Sequence, residues 1–363
     1  MLYKKILFPL LKRMDAERAH NLAALSLRAA ANIPPVSYAI QKHFSVNIRR
    51  LGQNLLGLHF ENPIGLAAGM DKTGEALLGW QCLGFGFLEA GGFTRFPQVG
   101  NEKPRLFRLP KDNAIINRMG FNNPGAVAAA ATCARVASRL RVPLFLNIGK
   151  SKDVPLAQAP EDYAQTFDIL YPCGDAFVVN VSSPNTLNLR KLQGKVFLKD
   201  ILQAIREKSL RHARAPGKDL KPVLVKIAPD LTTDELEEIL EAVSEEKASG
   251  IVATNTTTSR EGLIEPVSET GGLSGPLLFR KAVSIVRYIR TRLPELPIIG
   301  VGGIRSVDMA YNMLSAGANL VQLYTGLVYE GPLLIKRTNA GLASKLALYN
   351  LTVSSLHPKV KRD

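Results

Sequence analysis

Short apolar runs recur from about residue 62 onward, and most are separated by stretches with helical spacing of apolar residues. Eight such runs lie at 63–69, 86–92, 143–149, 176–182, 222–228, 250–256, 297–303 and 319–326. Strands that are apolar on both faces and alternate with helices are typical of a parallel sheet. Eight such units favour a (β/α)8 barrel over an open sheet. We therefore predict an α/β protein in which residues 46–363 form a TIM barrel.

Residues 1–45 precede the first predicted strand and are expected to form a separate helical unit. A second helix in this unit should start at Asp15 and end at the sequence IPP. The first helix carries an apolar stripe beside basic residues, namely Leu2, Ile6, Leu10 and Met14 beside Lys4, Lys5, Lys12 and Arg13. A basic amphipathic pair of helices is suited to an anionic membrane surface. It could instead pack under the bottom of the barrel.

The chain is basic, with 46 Lys and Arg against 31 Asp and Glu, for a net charge of +15. Such a charge suits nucleic acid, an anionic membrane surface or anionic small molecules. Zinc-finger spacing, RNP-like aromatic motifs and basic-region heptads are missing from the sequence, so we expect no nucleic acid partner. The three cysteines form no CxxC pair and the five histidines no HExxH, so we expect no metal.

The sequence has no apolar run of about 18 residues, so we expect no membrane-spanning helix. The short N-terminal run ILFPLL is flanked on both sides by basic residues and is too short for the core of a signal peptide. The protein should therefore stay in the cytosol or lie on the inner face of a membrane.

Each predicted strand ends in residues that a core strand does not need, as in FVVNVSSPNT at 177–186. One polar end would be explained by a turn, but in a barrel all eight ends converge on the face that carries active sites. The glycines after the last two strands, in GVGGI and LYTG, indicate a phosphate site or plain glycine turns. Lys226, inside an apolar strand, needs a partner. That partner is either a buried carboxylate or a cofactor that gains negative charge on reduction.

Several motifs, in this order and spacing, resemble the dihydroorotate dehydrogenases of the membrane-associated, quinone-using class. They are NPIGLAAGMDK, KPRLFRL, NRMGFNN, NVSSPNT, KIAPD, TNTT, GGLSG, GVGGI and QLYTG. The resemblance covers nearly the whole chain. It implies oxidation of dihydroorotate to orotate in pyrimidine biosynthesis, with FMN as cofactor and a membrane quinone as electron acceptor. It further implies a monomer bound peripherally to the cytoplasmic face of the bacterial inner membrane.

The resemblance also assigns roles to residues. Ser183 takes the position of the catalytic base, where the soluble class carries cysteine. The implied flavin contacts are Ala68, Gly69, Met70, Asp71, Lys72, Asn147, Asn180, Lys226, Thr254, Gly275, Gly303, Tyr324 and Thr325. The implied substrate contacts are Lys72, Asn117, Arg118, Met119, Gly120, Phe121, Asn180, Asn185, Asn255 and Thr256. His20 and Arg108 are candidates for the polar end of a quinone site, although His20 could be a packing residue and Arg108 a surface residue.

Two features of this assignment need the structure. A serine hydroxyl is a poor base by itself, so the loop should supply help, for example a water or hydroxyl relay toward Thr186. Where the family usually has Gly-Thr after the second barrel strand, this chain has Gly91 and Gly92, so one flavin contact is missing and Thr94 is not assigned the role. Two other functions remain open: a barrel lyase or isomerase acting on a phosphorylated metabolite, and a non-catalytic barrel that binds an anion or RNA.

Overall fold

The computed structural model describes residues 3–213 and 220–356, so Leu2 lies outside the described residues. Thirteen strands are numbered here along the chain: β1 (Gln53–Leu55), β2 (Leu58–Phe60), β3 (Ile64–Leu66), β4 (Phe87–Phe93), β5 (Leu106–Leu109), β6 (Ala114–Asn117), β7 (Leu144–Ile148), β8 (Ala176–Asn180), β9 (Val223–Ile227), β10 (Gly250–Ala253), β11 (Gly272–Ser274), β12 (Ile298–Val301) and β13 (Leu320–Leu323).

Helices surround the strands and precede them. They are α1 (Phe8–Leu11), α2 (Ala16–Ala31), α3 (Pro34–Phe44), α4 (Leu77–Cys82), α5 (Ala126–Ala137), α6 (Ala159–Leu170), α7 (Lys195–Ala213), α8 (Thr233–Glu245), α9 (Phe279–Arg292), α10 (Val307–Ser315), α11 (Thr325–Glu330) and α12 (Leu333–Leu348). A π-helical turn (Tyr3–Leu7) leads into α1. Short 3-10 turns lie at Arg49–Leu51, Leu156–Gln158, Leu189–Gln193, Pro276–Leu278 and Val353–Ser355.

Eight parallel strands close into a barrel in the order β3, β4, β7, β8, β9, β10, β12 and β13, and β13 pairs with β3. All eight predicted strands and the TIM barrel are therefore confirmed. The pattern missed two small sheets. One is the β1–β2 hairpin, and the other contains β5, β6 and β11 and joins two long loops on the side where the barrel strands end.

Aromatic rings fill the barrel at the end near the hairpin. The fully buried rings of Phe60, Phe87 and Phe145 pack with centroids 5.3 to 6.2 Å apart. Gly65 makes room for this packing, since a Cβ there would lie 2.2 Å from the Phe87 ring. Because these apolar rings fill one end of the barrel, the polar groups inside the barrel lie toward the opposite end.

The N-terminal segment differs from the predicted pair of helices. Asp15 caps α2 as predicted, with its side chain accepting from the Arg18 amide at 2.9 Å. The IPP sequence ends α2 but also begins a third helix, α3, which the prediction of only two helices missed. Proline at the first helical position lacks an amide that would have no partner there, so it starts a helix as readily as it ends one.

Three contacts fasten this segment to the barrel. The Tyr3 hydroxyl donates to the Val328 carbonyl at 2.6 Å. Lys4 pairs with the buried Glu330 at 2.5 Å. In the interior, Arg105 donates to both carboxylate oxygens of Glu17, at 2.7 and 3.0 Å. The segment is thus packed on the barrel by a buried ion pair as well as by apolar contacts.

Candidate active site

A cavity opens at the mouth of the barrel, where the strand ends and the β5–β6–β11 sheet meet. Most of the residues predicted for the flavin and the substrate line it. They are Ala68, Gly69, Lys72, Asn117, Met119, Gly120, Phe121, Asn180, Ser183, Asn185, Lys226, Thr254, Asn255, Thr256, Gly303, Tyr324 and Thr325. The topology therefore brings together side chains that are more than 250 residues apart in the chain.

Asparagine side chains form a hydrogen-bonded row along this cavity. Asn180 donates to the Oδ1 of Asn147 at 3.0 Å, and Asn255 donates to the Oδ1 of Asn180 at 3.3 Å. On the loop side, Asn185 donates to the Oδ1 of Asn117 at 3.1 Å. Amides both donate and accept, so the row presents a surface that matches the alternating N–H and C=O groups of a cyclic amide.

Ser183 lies on the loop after β8 and is only 8% exposed. Its hydroxyl oxygen accepts from the amide of Asn185 at 3.3 Å. Of the residues described, no carboxylate or imidazole is hydrogen-bonded to this hydroxyl, and the relay toward Thr186 stays a prediction. An amide donor stabilises negative charge on the oxygen, so the loop gives some of the help that a serine base requires.

Lys72 faces the cavity and donates to the Gly69 carbonyl at 2.7 Å. Burial lowers the pKa of its ammonium group to about 8, and the nearby Glu17 only partly opposes this effect. A buried ammonium that has lost water gains from an incoming carboxylate.

A carboxylate that sequence reasoning missed stands inside the barrel. Glu89, on β4, is fully buried and lies 3.7 Å from the Nζ of Lys226. It also accepts from Asn147 at 2.7 Å and from the side chain of Gln322. The partner of Lys226 is thus a buried carboxylate, one of the two predicted alternatives, while Lys226 also lines the cavity.

Glycines form the part of the cavity next to β12 and β13. Gly303 has a φ of 72°, and a Cβ there would lie 2.6 Å from the Gly275 carbonyl. A Cβ on Gly326 would lie 2.1 Å from the Ile304 carbonyl. The hydroxyls of Ser274 and Thr325 are hydrogen-bonded nearby at 2.7 Å. Backbone amides and hydroxyls in such a narrow turn are suited to a phosphate group.

Five predicted contacts are not part of the lining. Asn147 supports the cavity through Asn180, and the carbonyl of Gly275 packs against Gly303. Met70 is buried beside a second cavity. The Asp71 carboxylate accepts from the amides of Gly74 and Ala76, which places it in a turn. Arg118 points to Glu269.

Gly92, at the position that departs from the family pattern, does line the cavity. The hydroxyl of Thr94 is engaged elsewhere: it donates to the Phe96 carbonyl at 2.6 Å and accepts from Asn123 at 2.8 Å. Thr94 is fully buried in that loop. It therefore does not replace the missing side chain at Gly92.

A second cavity, of about 340 Å³, lies between the N-terminal helices and the barrel. It is lined mainly by apolar residues, and both quinone-site candidates, His20 and Arg108, border it. Arg108 donates to the carbonyls of Leu11 and Met14. Burial lowers the pKa of His20 to about 3, so its ring is neutral. Tyr324 lines both cavities and separates them.

The sequence profile of a family described as dihydroorotate dehydrogenase matches residues 50–346. The chain belongs to the dihydroorotate dehydrogenase family. A relative named dihydroorotate dehydrogenase (quinone) from Christiangramia forsetii is 46% identical over 95% of this chain and 99% of its own. One of the same name from Gloeobacter violaceus is 47% identical over 93% of each chain. The predicted resemblance to the quinone-using class of dihydroorotate dehydrogenases is confirmed.

Solved structures agree with this membership. Ligand-free dihydroorotate dehydrogenase from Eimeria tenella superposes with a TM-score of 0.86 at 34% identity, over 96% of this chain and all of that one. The complex of the same enzyme with ferulenol gives a TM-score of 0.84 at 33% identity, over 96% of each chain. Since 96% of this chain is covered, the likeness extends beyond the barrel into residues 1–45.

The Glu89–Lys226 pair predicts a measurable effect on stability. Replacing Lys226→Met should lower the free energy of unfolding by about 3–5 kcal/mol, because it leaves the buried carboxylate without its cation. The double variant Lys226→Met with Glu89→Gln should recover most of that loss, since the new amide oxygen still accepts from Asn147 and its nitrogen can donate to the oxygen of Gln322 once that side chain turns over. Urea unfolding of the purified proteins measures both changes in free energy. Equal stability of the single and double variants would contradict the pairing.

Proposed function

We propose that the chain oxidises dihydroorotate to orotate, with FMN as cofactor and a membrane quinone as final electron acceptor. Ser183, Lys72 and the asparagine row converge on one cavity at the barrel mouth, and this observation carries the proposal. Membership of the dihydroorotate dehydrogenase family and relatives named for quinone support it. In this function the enzyme contributes to pyrimidine biosynthesis.

The residues present fit a flavin mononucleotide. The turns with Gly303 and Gly326 have no room for side chains and suit the phosphate, with the hydroxyl of Thr325 beside them. Lys226 and Thr254 lie deeper, at the ends of β9 and β10, where they suit the polar edge of the ring. Gln322 has a buried side-chain oxygen without a hydrogen-bond partner among the described residues. A bound flavin would supply the acceptor for hydride and would pass electrons on to quinone.

In our proposal Lys72 and the asparagines hold the substrate. The ammonium of Lys72 binds the carboxylate of dihydroorotate, and Asn117, Asn185 and Asn255 bind its ring amides. These contacts fix the ring with its C5 hydrogen toward the loop after β8, and its C6 hydrogen would then be available to a bound flavin. Holding a substrate in a fixed orientation toward its reaction partner supplies much of the rate enhancement of an enzyme.

Ser183 removes the proton from C5. As the C5–H bond breaks and its electrons form the C5=C6 double bond, hydride leaves C6, and the proton passes from the serine to water. The amide of Asn185 stabilises charge on the Ser183 oxygen. Burial of the loop limits bulk solvent around the developing charge and leaves room only for the water that takes the proton.

For residues 1–45 we propose quinone entry and attachment to a membrane, with residues 46–363 as the catalytic domain. Between Ile6 and Tyr38 the segment exposes large apolar side chains, together called here the exposed apolar face. They are Ile6, Leu7, Leu10, Met14, Leu22, Leu25, Ile33, Val36 and Tyr38. Lys5, Lys12 and Arg13 are exposed beside it and suit anionic headgroups, whereas Lys4 is engaged with Glu330. Of the described helices, none is long and apolar enough to cross a membrane. The proposed location is peripheral, on the cytoplasmic face of the inner membrane.

The first test of this function concerns Ser183. Ser183→Ala should keep the flavin but slow its bleaching by dihydroorotate roughly 10²- to 10⁴-fold, the usual contribution of a general base. Ser183→Cys should retain part of the rate, because a thiol loses its proton more easily. Anaerobic stopped-flow absorbance measures both. A wild-type rate in Ser183→Ala would show that another group takes the proton, and a wild-type flavin that is not bleached would overturn the function itself.

A second test follows from the lowered pKa of Lys72. Below pH 8 the lysine is charged and binds the carboxylate; as the pH rises through about 8 the free enzyme loses this charge. The dissociation constant of orotate should therefore rise above pH 8, approaching tenfold for each pH unit. Flavin absorbance titrations between pH 7 and 9 measure it. Lys72→Ala should bind weakly with no such dependence; equal slopes in the two proteins would exclude this role.

A third test concerns the exposed apolar face. Leu10→Glu should weaken binding to vesicles with anionic phospholipid roughly tenfold or more, since a buried leucine contributes about 1.5–3 kcal/mol. Leu210→Glu, at an exposed leucine on α7, is the matched control and should bind normally. Point variants are preferable to deletion of the segment, which would leave Arg105 buried without Glu17. Equal cosedimentation of the two variants would contradict the membrane role.

A further inference from the structure

Arg190, in the 3-10 turn Leu189–Gln193, joins three loops of the barrel mouth. Its Nε donates to the Ser182 carbonyl at 3.2 Å, and its Nη2 donates to the Thr256 carbonyl at 3.0 Å. Its Nη1 donates to the carboxylate of Asp230 at 3.0 Å. One planar group thus connects the loops that follow β8, β9 and β10, and its two carbonyl partners adjoin or belong to the proposed catalytic and substrate residues.

Asp230 is itself held firmly. Its carboxylate accepts from the amide of Thr258 at 2.8 Å, from the hydroxyl of Thr257, and from Lys281 at 3.1 Å. Burial opposes its ionisation, but these hydrogen bonds and the one from Arg190 outweigh burial and lower the pKa of Asp230 to about 2. The carboxylate is therefore a fixed negative charge that orients the guanidinium.

The loop after β8 is held at several points. The hydroxyl of Ser182 accepts from Asn255 at 2.9 Å, and Asn185 donates to Asn117 at 3.1 Å. Leu189 and Leu192 are fully buried, and the side chain of Gln193 accepts from the Ala228 amide at 2.9 Å, so the returning part of the loop is fixed to the barrel. Leu187, in contrast, is 87% exposed. Arg190 binds the carbonyl directly before Ser183, so it is the contact that ties the start of this loop to the loops after β9 and β10 through one group.

We propose that Arg190, oriented by Asp230, is a positioning residue that holds the Ser183 loop against the substrate loop at Thr256. It acts through the backbone and does not touch the substrate. The inference rests on the proposed function for its kinetic consequence, because only a reaction with a base on C5 makes the placement of Ser183 matter. Its structural consequence, a loop that is held closed, is independent of that function.

The test compares Arg190→Ala with Lys191→Ala in the flavin-loaded enzyme. Lys191 is exposed in the same turn, so this control removes an equal charge and leaves the three bonds of Arg190 in place. Arg190→Ala should slow flavin bleaching by dihydroorotate roughly 100-fold, as expected for a misplaced catalytic group. Arg190→Lys keeps the charge opposite Asp230 but loses the planar guanidinium group, so it should be slowed as well. It replaces Arg190→Ala in the test if the alanine variant does not fold.

Deuterium isotope effects distinguish positioning from general damage. In Arg190→Ala the effect of deuterium at C5 should grow relative to that at C6, because removal of the C5 proton becomes harder while the hydride step keeps its geometry. Lys191→Ala should show both effects as in the wild type. A slow variant with unchanged isotope effects, or a rate within about twofold of wild type, would overturn the proposal.

Amide hydrogen exchange separates a failure of this inference from a failure of the proposed function. Without substrate, peptides covering residues 182–188 should exchange faster in Arg190→Ala than in Lys191→Ala. If dihydroorotate does not bleach even the wild-type flavin, the proposed function fails, and exchange alone decides whether Arg190 holds the loop. Equal exchange in the two variants would overturn the positioning role.

Discussion

The buried carboxylate of Glu89 constrains the whole centre of the barrel. A charge with no exposed surface is costly unless cations and hydrogen-bond donors surround it. Here Lys226 supplies the cation, and Asn147 and Gln322 supply donors. These side chains come from β9, β7 and β13, so the carboxylate ties together strands on different sides of the barrel. The polar side chains at the base of the cavity are therefore placed by their bonds to the Glu89 carboxylate.

The same group links the core to the chemistry above it. Asn147 bonds Glu89 with its amide nitrogen and therefore presents its oxygen to Asn180. Asn180 in turn accepts from Asn255 and from the amide of Ser182. Glu89 thus sets the orientation of the Asn147 amide, and Asn147 in turn sets that of Asn180. Asn180 and Asn255, which line the cavity, therefore present a defined pattern of hydrogen-bond donors and acceptors. A cavity organised in this way can bind a polar ring without first rearranging.

The N-terminal helices are part of this organisation. Glu17, on α2, pairs with Arg105 and lies close enough to Lys72 to affect its pKa, while His20, one turn later, borders the apolar cavity. Helix α2 thus contributes residues next to both the proposed substrate site and the proposed quinone site. Tyr324 stands between the two cavities. In the proposed function, Tyr324 would therefore lie between the flavin and the quinone.

Much of the fold was predictable because apolar strands and their polar ends carry a strong local signal. Ser183, Lys72 and most of the asparagines lie at the ends of barrel strands or in the loops that follow them, so barrel topology brings them to one face. Asn117 is the exception, because it lies on β6 of the small sheet that the pattern missed. Glu89 was missed because GFLEAGG reads as an ordinary strand, and only the closed barrel shows that its side chain points inward. Arg190 was missed for a related reason: its partners are backbone carbonyls and a carboxylate 40 residues away, and no local pattern marks such contacts.

Gly92 stands where the family usually has threonine, and its surroundings leave little space for a side chain. A family pattern with threonine at this position suggests that the chain lacks only a hydroxyl. In the structure a Cβ at Gly92 would lie 2.8 Å from the Oδ1 of Asn147 and 2.8 Å from the Phe121 ring. Contacts that short require a neighbour to move. Asn147 is bonded to both Glu89 and Asn180, so it has little freedom to do so. Gly92 therefore fits the positions of Asn147 and Phe121, which leave no space for a larger residue. A threonine at this position would disturb the hydrogen bonds that link Glu89, Asn147 and Asn180.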